Sequence, residues 1–315
     1  MLSNIRMRLM GVSLDEVRFT NRGFPLSTPE KTRYLESIAE TFLVGYHRVI
    51  ETANRAAVAE TLETKVEQPM RGFAYEGAAM GFTIFDLITP WKRSRLADFV
   101  NREGDPHHYM SIVGAGWAYA RLKRKLDAGL DDLDPVFGWL VMDGFGFHEG
   151  FFYWETHYQK QVIPSHMSNY TRRVFDQGLG RALWFVGGAD IPKIEKMICD
   201  FPPERRPDFW AGVGLAATYA GGVTAEEIRD LQRAASEHRG ELGQGSVFAA
   251  AARVRAGNVC EHNVIACDIL ANMTPHQAKQ LVDDLVVGEV AAPSKLPKFE
   301  ILRRAIIHQI GSKQP

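Results

Sequence analysis

Residues 143–157 read DGFGFHEGFFYWETH, from Asp143 to His157. Glycines flank two phenylalanines, and four consecutive aromatics from Phe151 to Trp154 follow, with His148, Glu149, Glu155 and His157 set among them. Such a stretch is too crowded and too ionisable to be packing alone. It is also the odd member of a series. Aligned on Gly77, Gly114, Gly150, Gly178, Gly212 and Gly245, the chain repeats at spacings of 37, 36, 28, 34 and 33 residues. Six positions before the glycine stand Arg71, His108, Gly144, Arg172, Arg206 and Arg239. Directly before it stand Glu76, Val113, Glu149, Gln177, Ala211 and Gln244, and four positions after it Gly81, Ala118, Trp154, Ala182, Ala216 and Ala249.

A glycine inside a helix costs about 0.5–1 kcal/mol relative to alanine. Its recurrence makes sense where backbones approach closely, and small residues one turn apart extend that approach along one face. Second helices fit between the glycine helices. Asp190-Ile191-Pro192 opens one that runs to about Phe201, Thr224-Ala225-Glu226-Glu227 is a capping box opening one to about His238, and Thr274-Pro275 opens one to about Val287. A period near 35 residues with two helices per unit belongs to the length class of tetratricopeptide-like hairpins. Period-two alternation and Asn-Gly turns are lacking. The expected fold is therefore all-α: stacked helical hairpins forming a superhelix or a partial α/α toroid.

Residues 1–315 read as a single all-α domain. Residues 1–68 supply an arm and a helix from about Pro29 to Asn54, with Ser27-Thr28-Pro29-Glu30 as its capping box. The six glycine-centred repeats occupy 69–288, and a tail helix follows in 289–315. Apolar content of 45%, a net charge of −1 and the lack of any long uninterrupted apolar run argue against nucleic acid and a membrane span as partners. Three cysteines, an odd and sparse set, suit a reducing cytoplasm.

In the third unit His148, Phe152 and Glu155 fall on one face at i, i+4 and i+7 of a continuous helix, flanked by Glu149 and Tyr153. Three readings stay open. His148 and Glu155, with Glu149 or His157, bind a metal, although no known ligand spacing is present. Alternatively a carboxylate and an imidazole exchange protons in an apolar pocket. Or their polar atoms only tie helices together. Glu76, Glu149, Gln177 and Gln244 take equivalent positions, so they either line a lumen with Trp117 and Arg181 or form the seam between repeats, paired with the recurring arginine. The catalytic candidates are His148, Glu149, Glu155 and Glu76; the substrate-binding candidates are Trp117, Phe152, Tyr153, Trp154, Gln177, Arg181 and Gln244. No cofactor is identified. The adjacent His107 and His108 suit a surface or capping role, and His262 lies within possible reach of the pocket.

RGFAYEGAAMGF at Arg71, HYMSIVGAGWAYARL at His108, LVMDGFGFHEGFFYW at Leu140, VFDQGLGRALWFVGGAD at Val174, FWAGVGLAATYAGG at Phe209, QGSVFAAAARVRAGN at Gln244 and FTNRGF at Phe19 carry a resemblance over nearly the whole chain. It resembles a bacterial domain-of-unknown-function family associated with enediyne polyketide clusters. The resemblance implies an accessory enzyme acting on a long apolar polyene by proton transfer, cyclisation or oxidation, beside other proteins of that pathway. The alternative is a helical-repeat scaffold or carrier for pathway partners or an apolar intermediate. No catalytic residue is carried over from the family.

Overall fold

The computed structural model describes residues 2–25, 27–89, 91, 94–126 and 134–311, and among them every regular element is helical. Helices α1 (Leu2–Met10) and α2 (Phe19–Arg22) form an N-terminal arm. Then follow α3 (Pro29–Thr52), α4 (Arg55–Lys65), α5 (Arg71–Ile88), α6 (Arg95–Val100), α7 (His108–Arg121) and α8 (Leu140–Phe152). The second half holds α9 (Asn169–Val186), α10 (Ile191–Cys199), α11 (Arg206–Ala220), α12 (Ala225–Ala235), α13 (Arg239–Arg255), α14 (Glu261–Ala271), α15 (Pro275–Val287) and α16 (Lys298–Gly311).

The inner helices α3, α5, α7, α8, α9, α11 and α13 pack each on the next in chain order, while α10, α12 and α14 pack on one another outside them. This is the expected stack of helical hairpins. The caps at Thr224 and Thr274 are complete: Thr224 N–H donates to Glu227 at 2.8 Å, Thr274 N–H to Gln277 at 2.8 Å, and both hydroxyls accept in return. The box expected at Ser27 does not form. Thr28 is the cap, accepting from Lys31 N–H at 3.4 Å, which leaves Glu30 one position short of the reciprocal bond.

Close backbone approach sets the register of the stack. A β-carbon at Gly144 would lie 1.9 Å from the Val113 carbonyl oxygen, and one at Gly116 would lie 2.0 Å from that of Val141. Only glycine admits α7 and α8 to this distance. Gly114 meets the Glu76 backbone, Gly178 that of Asp143 and Gly212 that of Gln177 in the same manner. Gly150 instead faces the side chains of Tyr158, Ala182 and Leu179. The register glycine of the third unit is thus Gly144, and the alignment on Gly150 is corrected by six positions. Asp143, not Glu149, is the equivalent of Glu76, Gln177 and Gln244, and His148, not Trp154, occupies the position that is small elsewhere.

The recurring arginines serve a different end from pairing with those acids and amides. Arg71 donates to Val66 O at 3.2 Å, Arg172 to Met167 O at 3.2 Å, Arg206 to Phe201 O at 2.8 Å and Arg239 to Gln232 O at 3.2 Å. Each satisfies carbonyls left over where the preceding segment ends. The ring of inner helices also closes on itself. Arg253 of α13 donates to Pro69 O and Tyr219 O and lies 3.9 Å from the Tyr219 ring centroid, while Tyr34 of α3 donates to Ala220 O at 2.6 Å. The toroid, rather than an open superhelix, is the geometry adopted. None of the described helices is long and apolar enough to cross a membrane.

Candidate functional site

Closing the ring leaves an apolar interior space among α3, α5, α7, α8, α9 and α11. It is slender. Its wall is apolar, built from side chains such as Phe42, Met80, Phe147, Phe151 and Leu215, and is interrupted by Glu76, Arg121 and Arg181. The register explains the lining. Three positions after each register glycine stand Met80, Trp117, Phe147, Arg181 and Leu215, all on this wall, and Phe248, which lines an adjoining space. Val12 and Val17 of the N-terminal arm line the same space. The arm is held there by Tyr46 Oη donating to Met10 O at 2.6 Å, Val12 N–H donating to His47 Nε2 at 3.3 Å and a Glu16–Arg121 pair at 3.4 Å.

Glu76 is the acid of this chamber. Trp117 Nε1 donates to its Oε1 at 3.0 Å, and Arg181 Nη2 lies 3.9 Å from the same atom. Arg181 is committed to Asp143, which also accepts from Gln177 Nε2 at 2.7 Å. Burial raises the Glu76 carboxyl to about 7, with Arg181 and the Trp117 hydrogen bond pulling back and Asp143 adding to the rise. A carboxyl poised there can hold or release a proton at neutral pH.

A second cluster lies outside the wall. Glu149 Oε1 accepts from His148 Nδ1 at 3.1 Å, and His157 Nε2 lies 3.3 Å from Oε2 while His157 Nδ1 donates to Val162 O at 2.8 Å. Burial alone would raise the Glu149 carboxyl; the two imidazoles reverse this and take it down to about 2. Burial lowers the His148 pKa against the opposing pull of Glu149. Its Nε2 has no protein partner, and its ring packs 4.8 Å from Phe152 and 5.7 Å from Trp117, both on the chamber wall. Glu149, Tyr153 and His157 line an outer cleft rimmed by Lys123, Arg124, Lys125 and His166.

The continuous face expected from His148 through Phe152 to Glu155 is broken. Helix α8 ends at Phe152, Tyr153 turns (φ −129°, ψ 41°), and a π-helical turn over Glu155–Gln159 folds the chain back. Arg22 donates to the Phe152 carbonyl left over at that end and lies 5.1 Å from the Phe152 ring centroid. Glu155 faces solvent as a result, and His157 swings in to Glu149. Trp154 packs on the arm, donating to Arg22 O at 2.9 Å. Of the candidates, Glu76, Trp117, Phe152 and Arg181 come together on the chamber wall; His148 and Glu149 lie behind it; Tyr153 faces outward. Gln177 binds Asp143, and Gln244 accepts from Arg303 at 3.2 Å in the seam with α16. Equivalent positions thus serve both purposes, lining at Glu76 and seam at Gln177 and Gln244.

Sequence reading missed Asp143 because of the six-residue register error, and Tyr219 because nothing local distinguishes it. The wall positions Met80 and Leu215 were readable from the rule that already marked Trp117 and Arg181, whereas Phe147 needed the register on Gly144. His107 is buried and stacked on Tyr75 at 4.3 Å, not on the surface; burial, with Arg253 and Arg71, takes its pKa down to about 4. His108 bonds Asp134 at 3.0 Å. His262 stops at the Tyr219 carbonyl, 3.3 Å away, and does not line the chamber. Among the described residues no three His, Cys, Asp or Glu side chains are arranged to hold a metal ion.

A family model described as a protein of unknown function (DUF1702) matches residues 1–310. No curated protein and no solved structure matches the chain.

Proposed function

We propose, from the premise that this chain belongs to the family of proteins of unknown function DUF1702, that it is an enzyme enclosing a long apolar chain, such as a polyene, and moving a proton on it. The observation that carries this reading is one buried carboxyl, Glu76, on the wall of a slender apolar chamber and raised there to about 7. Apolar walls with few convergent polar groups suit a small-molecule site. As the carboxylate, Glu76 removes a proton from an allylic carbon and returns it to another carbon of the conjugated system. The double bonds shift, and no electrons are gained or lost overall. The resemblance to the enediyne-associated family supports a conjugated polyketide chain as substrate and a place beside other proteins of such a pathway.

The test is Glu76→Gln with a linear polyene, monitored by absorbance. Loss of conversion by at least a hundredfold, with binding of the polyene retained, is expected for removal of a general base. Unchanged conversion would overturn the assignment. A carrier that binds without converting is the second reading. It is favoured by the arm residues Val12 and Val17, which form part of the chamber wall itself. Tight binding with no conversion by the wild-type protein would establish it.

A further inference from the structure

A second, smaller apolar space adjoins the first and shares Arg181, Leu215 and Tyr219 with it. Its other walls come from α7, α8, α13 and α15, through Met110, Val113, Leu140, Phe248 and Val282. On α8 the lining runs from Leu140 in the second space to Phe152 in the first. At the rise of an α-helix this separation is roughly 18 Å. The two spaces therefore follow one another along α8 as the halves of a lumen, and the three shared residues stand at the waist between them.

Two polar residues at the waist, Arg181 bound to Asp143 and Tyr219 with its hydroxyl beside Gly72 of α5, each keep one atom that no protein group pairs. Arg181 is 4% and Tyr219 3% exposed, yet Arg181 Nε and Tyr219 Oη have no hydrogen-bond partner. Buried donors are seldom left so. The surrounding acceptors are already served: Asp143 by Arg181 Nη1 and Gln177, and Glu76 Oε1 by Trp117. Asp143 also balances the charge of Arg181, and with Glu76 close by a further anion would face two acids. The complement of this arrangement is an uncharged acceptor oxygen.

We infer that Arg181 and Tyr219 form a subsite for a carbonyl oxygen in the middle of the bound chain, with one apolar arm of that chain in each half of the lumen. This rests on the lumen being the ligand site. It also gives the proton transfer a destination for its electrons. When the Glu76 carboxylate takes a proton from carbon next to the carbonyl, the pair moves on to the oxygen as an enolate held by Arg181 and Tyr219. The proton then returns from Glu76 to a conjugated carbon, restoring the carbonyl in an isomer of the starting chain.

The experiment uses the full chain and diphenylhexatriene as fluorescent reporter, displaced by pentadecane, by the mid-chain ketone of the same alkane, or by myristate. The ketone should displace the reporter at roughly tenfold lower concentration than the alkane, as two hydrogen bonds to otherwise unpaired donors require. Tyr219→Phe should remove about fivefold of that advantage and leave the alkane unchanged. Because the hydroxyl it deletes is unpartnered, Tyr219→Phe should melt no lower than wild type. Arg181→Lys keeps a cation beside Asp143 and is the second variant, with the same expected loss for the ketone alone. Equal displacement by ketone and alkane, or equal weakening of both by the variants, would overturn the subsite. Tighter displacement by myristate than by the ketone would overturn its neutrality. Failure of the reporter to bind at all would sink the lumen reading itself.

Discussion

Glu76 and Glu149 stand beside cationic or imidazole neighbours, yet their carboxyls move in opposite directions. Glu76 meets one buried guanidinium already committed to Asp143, so burial prevails and the value rises to about 7. Glu149 is held by two imidazoles and falls to about 2. The consequences for stability are opposite in sign. Between the ordinary carboxyl range and about 7, folded Glu76 keeps a proton that the unfolded chain has lost, so stability falls as pH rises through that window. Glu76→Gln should flatten that decline and, above it, be more stable than wild type by up to about 3 kcal/mol. Folded Glu149 stays charged where the unfolded chain is protonated, so its contribution is full at neutral pH and lost as pH falls toward about 2. Glu149→Gln should therefore destabilise at neutral pH and converge on wild type in acid. Urea midpoints measured across that pH range check both signs, and parallel curves for the two variants would refute the contrast.

Among the helices, those whose ends carry local chemistry were legible. Thr224, Thr274 and Asp190 announce their helices because a cap needs only a side-chain oxygen and the next three amides. The period near 35 residues was legible too, since close approach admits little but glycine. The register of the third unit was not, because Gly144, Gly146 and Gly150 all offer a match and only the neighbouring backbone distinguishes them. The break after Phe152 was likewise hidden: it depends on Arg22, which meets that carbonyl from 130 residues away. For the site, Glu76, Trp117 and Arg181 were found by position in the repeat, whereas Tyr219 and Asp143 required the three-dimensional ring. Gly144→Ala tests the register, and should cost about 3 kcal/mol or more by overpacking α7 on α8. Gly257→Ala is the control: with φ +62° and no atom within 4 Å of the added carbon, it should cost about 1 kcal/mol for the left-handed backbone alone. Urea denaturation of both variants would expose a wrong register if their costs were equal.

In the molecule as a whole, the arm and the ring together enclose the lumen. Phe19 and Phe24 lie edge-on to Phe151 at 6.3 and 5.2 Å, and Trp154 clasps Arg22 from the other side. Deleting residues 2–25 should therefore speed release of a bound apolar dye at least tenfold and lower the melting temperature; stopped-flow dilution of the loaded protein measures the first. An unchanged release rate would mean that the ligand leaves elsewhere.

The junction of Arg253 with Pro69 joins positions 184 residues apart. During synthesis Pro69 must wait for those 184 further residues before the two can meet. Until then the apolar inner faces of the earlier helices lack the closing contact that α13 supplies. Contacts of such long sequence separation also slow folding. For this protein the ring can close only after α13 has followed α5 from the ribosome.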